Sequence, residues 1–127
     1  MKGRMISPGK VEGIAIVSDE PIGFYGGIDM KTGIIIDKSH PLEGESVKDK
    51  ILVFPNGKGS TVGSYVIYGL EKNGVGPKGI INRETETIVA TGVILAGIPC
   101  VDQIDISSIK TGDLVILNAD EADVRIQ

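Results

Sequence analysis

The sequence predicts a β-rich α/β domain, and three observations support that fold class. Short apolar runs recur along the chain with few charged residues inside them, which is typical of strands. Glycine accounts for 18 of the 127 residues, roughly twice its usual frequency, so tight turns between short strands are expected. Only one longer segment, residues 61–72, has the apolar spacing of an amphipathic helix.

The predicted strands are mostly continuous apolar runs and not alternating ones, so we expect both faces of the sheet to be covered. Gly, Pro, Asp and Asn stand in nearly every gap between the runs and predict turns. No repeat or linker is present, so one domain is expected over residues 1–127. In chain order, the predicted strands are residues 13–18, 32–37, 50–55, 79–82, 88–90, 94–96, 113–118 and 124–126.

The predicted helix at residues 61–72 has signals at both ends. Ser60 stands where an N-cap is expected, and Asn73-Gly74 supplies a C-terminal stop. A second, shorter helix is predicted at residues 104–110. The apolar stripe of the first helix would consist of Val62, Tyr65, Val66, Gly69 and Leu70, at helical spacing.

Charge and composition exclude several classes of function. A net charge of −4 and a pI near 4.9 argue against a protein that binds the nucleic-acid backbone. Cys100 is the only cysteine, which excludes an internal disulfide and a cysteine-rich metal site. The first residues lack the apolar segment of a signal peptide, and no apolar run approaches the length of a membrane span. We therefore expect a soluble, cytoplasmic protein.

A glycine-rich segment lies between a predicted strand and the predicted helix, at Gly57-Lys58-Gly59-Ser60. It does not fit the nucleotide-binding pattern G-x-x-x-x-G-K-S/T, because the lysine falls between the glycines. Glycines still allow a ligand to approach the backbone, a helix start offers N–H groups, and the lysine adds a charge. These features, with Thr61, predict a small site for a carboxylate or phosphate. The alternative is that the serine only caps the helix and the glycines only form a turn.

Other residues each allow two interpretations. His40, the only histidine, lies in a loop and has either a structural or surface role or a contact with substrate or another chain. Gly26-Gly27 forms either a tight turn or a contact of the same kind. Cys100 lies among apolar residues and is expected to be a buried, inert thiol. The acidic residues 120–123 are interpreted as an exposed turn and alternatively as a cation site. A solvated edge is expected for Arg83, Glu84 and Glu86.

Several motifs follow one another in a characteristic order: SPGKVEG at residues 7–13, FYGGID at 24–29, TG at 32–33, HPLEG at 40–44 and GKGS at 57–60. Together they resemble the small, swivel-domain subunit of the aconitase X family. The resemblance extends to the Ile98-Pro99 pair and to the turn at residues 111–113, and so covers almost the whole chain.

The resemblance implies a β/β/α swivel domain with a barrel-like β core and a few helices. It also implies a heteromeric hydro-lyase that is active only when the small subunit swivels against a large one. That partner would carry a 4Fe–4S cluster and most substrate contacts, and this chain would bind no cofactor. The implied reaction removes water from (R)-5-phosphomevalonate and yields trans-anhydromevalonate 5-phosphate, in the archaeal mevalonate pathway to isoprenoids. Within it, Ser60 corresponds to the serine that accepts the proton.

The chain departs from the family in two places. Aconitase itself continues Ser-Arg-Glu after the serine, whereas Thr61, Val62 and Gly63 follow here, so an arginine that grips substrate has to come from the partner. At the position of Lys58, arginine is expected in the family at least as often as lysine. A lysine ammonium lacks the planar fork by which arginine binds a carboxylate or phosphate, which argues against a bidentate role for Lys58. Two alternatives stay open. One is the small subunit of a cis-3-hydroxy-L-proline dehydratase. The other is a non-catalytic swivel or binding module such as a phosphohistidine carrier, although Ser60 replaces the histidine such a carrier needs.

Overall fold

A seven-stranded sheet and two helices make up most of the structure, a computed structural model that describes all 127 residues. The strands are β1 (Arg4–Ser7), β2 (Lys10–Val17), β3 (Ile22–Gly23), β4 (Ile51–Phe54), β5 (Gly57–Lys58), β6 (Gly79–Asn82), β7 (Cys100–Asp102), β8 (Leu114–Asn118) and β9 (Asp123–Ile126). The helices are α1 (Gly63–Lys72) and α2 (Thr87–Ala96). Strands β3 and β5 pair separately, and the others are ordered β1-β7-β6-β4-β2-β8-β9.

Strands β2, β4, β6 and β7 run parallel in the middle of the sheet, with α1 connecting β4 to β6 and α2 connecting β6 to β7. Side chains alternate between the two faces of a strand. Accordingly, Leu52 and Phe54 join the core beneath the helices, whereas Ile51 and Val53 join a second core on the opposite face. All four residues of β4 are buried, which confirms the expectation that both faces of the sheet are covered.

The second core lies inside the curl of the sheet. Strand β8 pairs antiparallel with β2, β9 pairs antiparallel with β8, and the two strands curl the sheet into a half barrel. Val115, Leu117 and Val124 fill this space, and Ile106 from a short 3₁₀ turn closes it. The structure therefore confirms the predicted β-rich α/β class with a barrel-like β core and a few helices.

The two strands predicted at residues 88–90 and 94–96 are wrong, because both segments belong to α2. Glu86 caps this helix by accepting hydrogen bonds from the N–H groups of Ile88 and Val89, and Gly97 ends it at φ 72°. Apolar side chains occupy the exposed as well as the buried side of α2, so the sequence shows no helical period. A short apolar run without a period is also compatible with a buried strand.

Two smaller predictions also differ from the structure, and two strands were not predicted. The helix predicted at residues 104–110 is only a 3₁₀ turn, Ile106–Ser108, because the isoleucines of this segment point into the second core at irregular spacing. The strand predicted at 32–37 forms only isolated bridges, from Ile35 to Ile28 and from Ile34 to Ser46. Strands β1 and β7 were not predicted, since both are short and carry polar residues.

Candidate functional site

The glycine loop lies where the parallel strands end, on the edge at which α/β sheets commonly bind ligands. It follows β4 directly, and its first residues form β5. Strand β5 pairs with β3, which follows β2 in the chain, so Gly57 lies beside Ile22 and Lys58 beside Gly23. The loops that follow the two neighbouring strands β2 and β4 are thereby held together.

Ser60 is exposed at the tip of this loop. Its Oγ accepts a hydrogen bond from the N–H of Val62 at 3.2 Å, and its carbonyl oxygen accepts one from Gly63. Helix α1 starts at Gly63 with Val62 as its N-cap, so the prediction that Ser60 is the N-cap is wrong by two residues. The reason is that residues 61 and 62 complete a turn before the helix begins.

Three consecutive N–H groups of the loop, those of Gly59, Ser60 and Thr61, have no hydrogen-bond partner in the protein. By contrast, the first N–H groups of α1 bond to carbonyl oxygens of the preceding turn, for example Ser64 to Thr61. The donors available to an anion therefore belong to the loop and not to the helix. Consecutive free N–H groups of this kind form anion-binding sites in other proteins.

The glycines of the loop are required by geometry. Gly59 has φ 86°, a conformation that L side chains rarely adopt. A Cβ on Gly57 would lie 2.4 Å from the carboxylate of Glu86, and one on Gly63 would lie 3.1 Å from Ile88. The loop thus packs closely against the start of α2. Since Glu86 is half-buried and caps that helix, its prediction as part of a solvated edge is wrong, whereas Glu84 is exposed as predicted.

Lys58 is exposed and is the only positively charged residue of the loop. Ser39 lowers the pKa of the Asp37 carboxyl, because its hydroxyl and N–H donate to the carboxylate at 2.7 and 3.0 Å, and the charges of His40 and Lys58 lower this pKa slightly further. The carboxylate therefore stays ionised near the loop and partly offsets the positive charge of the lysine.

His40 is buried in the loop before β4, with 8% of its surface exposed. Its Nδ1 accepts from the N–H of Leu42 at 3.1 Å, which assigns the ring proton to Nε2, 3.4 Å from the hydroxyl of Ser18. No hydrogen bond connects His40 to Ser60. This geometry supports the structural interpretation of the histidine.

The predicted turn at Gly26-Gly27 is confirmed. Gly26 has φ 79°, and a Cβ on Gly27 would overlap the carbonyl oxygen of Gly23. Tyr25, which precedes the turn, is 63% exposed.

The acidic segment lies in a second 3₁₀ turn, which residues 119–121 form. Within it, Asp120 accepts a hydrogen bond from the N–H of Gly9.

Cys100 is fully buried, and burial raises the pKa of its thiol to about 12. This agrees with the prediction of an inert thiol. No group of three or more His, Cys, Asp or Glu side chains is placed to hold a metal ion. Because an iron–sulfur cluster requires several thiolates, the residues of this chain do not fit one.

Neither helix has the length and hydropathy needed to cross a bilayer.

A polar network that was not predicted from the sequence supports the end of β4, from which the glycine loop starts. The buried Asp102 carboxylate binds Arg4 through two hydrogen bonds, at 2.7 and 3.0 Å, and accepts the N–H of Thr85 at 2.8 Å. The bond to this carboxylate raises the pKa of Arg4 above its usual value. Thr85 donates to Asn82, which donates to the carbonyl oxygen of Phe54 at 2.9 Å. The polar run after β6 is the only sequence signal for this network.

The loop lies on an open surface. None of the five surface cavities is lined by residues 57–61. Small-molecule sites usually enclose most of the ligand surface. The exposed serine and the free N–H groups are therefore not enclosed by this chain, and a small molecule there would stay largely exposed to solvent unless a second surface covered it.

Comparison with known proteins gives a consistent result. Residues 1–126 match the family model of the aconitase X swivel domain. The phosphomevalonate dehydratase small subunit of Methanocaldococcus jannaschii is 60% identical, covering 99% of this chain and 96% of that protein. The protein of the same name from Thermococcus sibiricus is 58% identical, covering 100% and 98%. The crystal structure of Thermococcus kodakaraensis aconitase X in its holo-form has a TM-score of 0.98 and 56% identity, covering 99% of this chain and 96% of that one.

Proposed function

This chain belongs to the aconitase X swivel-domain family, and we propose that it is the small subunit of a phosphomevalonate dehydratase. The support is the name shared by relatives that are 58% and 60% identical over nearly their full length. The enzyme is a hydro-lyase that converts (R)-5-phosphomevalonate to trans-anhydromevalonate 5-phosphate. The structural observation that carries the proposal is an exposed serine, oriented by a backbone N–H, on an edge that has no pocket of its own.

In this proposal, Ser60 accepts the proton from the carbon next to the substrate carboxylate. A serine hydroxyl is a weak base unless its alkoxide is stabilised. The N–H of Val62 points at Oγ, and a donor to the charged form favours that form. Lys58 adds a positive charge, and the start of α1 contributes about 0.3–1 kcal/mol at an exposed position. These contributions are too small alone, so further cationic groups belong to the large subunit.

The candidate substrate contacts are Gly57, Lys58, Gly59 and Thr61. The free N–H groups of Gly59, Ser60 and Thr61 are donors for a carboxylate or phosphate oxygen. An N–H donor recognises an anion without a bidentate side chain, which suits a loop whose only cation is a lysine. The absence of a pocket at residues 57–61 supports the proposal that the large subunit supplies the remaining contacts.

The 4Fe–4S cluster of the enzyme belongs to the large subunit in this proposal. The one cysteine of this chain is buried inside the core, and no other set of ligands is available. Two consequences follow for the purified proteins. The isolated small subunit binds no iron and has no dehydratase activity, and the activity appears only when the large subunit is added.

The first prediction concerns Ser60. In the reconstituted complex, Ser60→Ala lowers kcat on 5-phosphomevalonate by about 10²–10⁴-fold, the usual contribution of a general base. Ser46→Ala is the matched control, because the Ser46 hydroxyl accepts the N–H of Lys48 at the same distance of 3.2 Å. The control is expected to keep kcat within about twofold. Cluster absorbance and complex formation are measured for both variants, and near-normal turnover by Ser60→Ala would exclude this serine as the base.

The same assay distinguishes the alternative substrate. The complex is offered cis-3-hydroxy-L-proline and 5-phosphomevalonate in parallel, and water loss is followed for each. We expect turnover of the phosphorylated hydroxy acid only. Turnover of hydroxyproline alone would identify the chain as the small subunit of a different dehydratase in the same family.

A further inference from the structure

Both helices expose apolar side chains on the side that faces away from the sheet. Val62 and Tyr65 are 46% and 66% exposed at the start of α1, and Tyr68 is 38% exposed one turn later. On α2, Ile94 and Leu95 are 60% and 53% exposed. These five residues are called the helix face below. The helices lie side by side, since Gly63 approaches Ile88 and Gly92 approaches Ile67.

The outer surfaces of these helices lack the charges of a solvated helix. Helix α2 contains no charged residue, and α1 has only Glu71 and Lys72, both at its end. A helix on the surface of a soluble protein normally has a polar outer side, whereas a helix that is apolar all round is buried. Large contiguous apolar patches on a monomer commonly mark an interaction surface. The composition of the helices therefore indicates that another protein covers them.

A cleft within the helix face has the properties of an interface pocket. Tyr65, Tyr68 and Leu95 alone line a space of about 210 Å³. Tyrosine is enriched, and charged residues are depleted, at the centre of protein interfaces. None of the three lining residues is charged, and the Nζ of Lys72 lies 5.7 Å from the centre of the Tyr68 ring. A cleft of this kind suits an apolar side chain from a partner.

The helix face is continuous with the candidate active site. Val62 belongs to this face, and its N–H is the group that binds the Oγ of Ser60 at 3.2 Å. The loop of Ser60 lies on an open edge, so the surface that encloses a substrate there has to approach Val62 as well. We propose that the helix face is the surface to which the large subunit docks. This inference rests on the proposed function, in which a large subunit completes the site.

The docking test compares two arginine substitutions in the full-length chain. Leu95→Arg places a charge in the cleft, whereas Ile126→Arg changes a residue that is 41% exposed on β9, on the side of the second core. Affinity for the purified large subunit is measured by calorimetric titration. We expect Leu95→Arg to weaken binding about 100-fold or more, as for an interface hot spot, and Ile126→Arg to change it less than threefold.

A second variant covers the case in which Leu95→Arg does not fold. Tyr65→Ala removes a side chain that is 66% exposed, so we expect it to retain the circular-dichroism spectrum of the native chain while weakening binding about tenfold or more. Wild-type affinity in the folded variants would overturn the proposal. A homodimer of this chain that Leu95→Arg dissociates, with large-subunit affinity unchanged, would assign the face to self-association and would also overturn it.

The binding readout separates this inference from the proposed function. Ser60→Ala is expected to bind the large subunit with wild-type affinity, so binding can be measured in a complex that is inactive. Full activity of Ser60→Ala would contradict the role of the serine and leave the docking result standing. Unchanged binding by Leu95→Arg in an active complex would contradict the docking surface and leave the proposed function standing.

Discussion

Lys58 is the only cation in the loop that holds Ser60, and it is exposed. Two unit charges about 4 Å apart interact by about 1 kcal/mol in water and about 4 kcal/mol near a protein surface. We therefore predict that Lys58→Met raises the KM of the complex for 5-phosphomevalonate about tenfold, with a smaller effect on kcat. Lys58→Arg retains the charge and should change KM less than threefold. Steady-state kinetics at low salt measure both.

Lys110→Met is the control for this prediction. Lys110 is also exposed, but it lies in the turn before β8, outside the loop of Ser60. An equal rise in KM for both methionine variants would mean that the substrate responds to the net charge of the chain and not to a local contact. An unchanged KM for Lys58→Met would remove this lysine from the substrate site.

Ser60 illustrates how far single residues can be interpreted from sequence. The glycines around it and the strand before it correctly predicted a loop between a strand and a helix. The cap was placed two residues too early, because a turn separates the serine from α1. The free N–H groups of Gly59, Ser60 and Thr61 could not be predicted, since hydrogen bonds of the backbone depend on the three-dimensional path of the loop.

At the level of elements, the tightest glycine contact between α1 and α2 is that of Gly92 with Ile67. A Cβ on Gly92 would lie 2.6 Å from Cδ1 and 2.9 Å from Cβ of Ile67, which is closer than real side chains approach. The overpacking expected for alanine costs about 1–3 kcal/mol. Alanine also favours a helix over glycine by roughly 1 kcal/mol. The net effect depends on how far the two helices can separate.

We predict that Gly92→Ala lowers the free energy of unfolding by about 1–2 kcal/mol, since Ile67 is fully buried and has little room to move. Urea denaturation measures the change. Thr91→Ala, on the exposed side of the same helix, is the control and should be neutral or slightly stabilising. A stabilised Gly92→Ala variant would show that the helices shift apart without loss of packing.

Helix α2 also explains the main error in the predicted elements. Its inner side packs Val89 and Val93 into the core, and its outer side presents Ile94 and Leu95. A helix that is apolar on both sides has no amphipathic period, and its β-branched residues favour strands in any propensity scale. A similar error concerns α1. Val62 and Tyr65 belong to the predicted apolar stripe, which normally faces the core, but both side chains are exposed. If a partner covers the helix face, both errors have the same physical cause.

At the scale of the whole molecule, one sheet carries both cores. Strands β4, β6 and β7 each contribute alternate residues to the two sides, so neither core can open without disrupting the same strands. We propose that residues 1–127 form a single cooperative domain. Single domains of fewer than about 150 residues usually unfold in one transition.

The corresponding prediction is one unfolding transition with the same midpoint for different probes. Far-UV circular dichroism reports both sides of the sheet. Fluorescence of the tyrosines reports the helical side, because Tyr65 and Tyr68 lie on α1 and Tyr25 lies next to Gly63. Coincident midpoints in urea support one domain. Two separated midpoints would mean that the half barrel and the helical layer unfold independently.

The order of motifs in the sequence was sufficient to identify the family and the fold class, and the apolar runs were sufficient to locate the central strands. These properties depend on local composition, which the sequence contains directly. Only the tertiary structure decided that residues 87–96 form a helix, that Glu86 supports the glycine loop, and that Asp102 and Arg4 link β7 to β1. It also placed α2 beside α1, so that side chains from both helices form one helix face. Each of these depends on contacts between residues that are distant in the chain, and such contacts leave no local pattern.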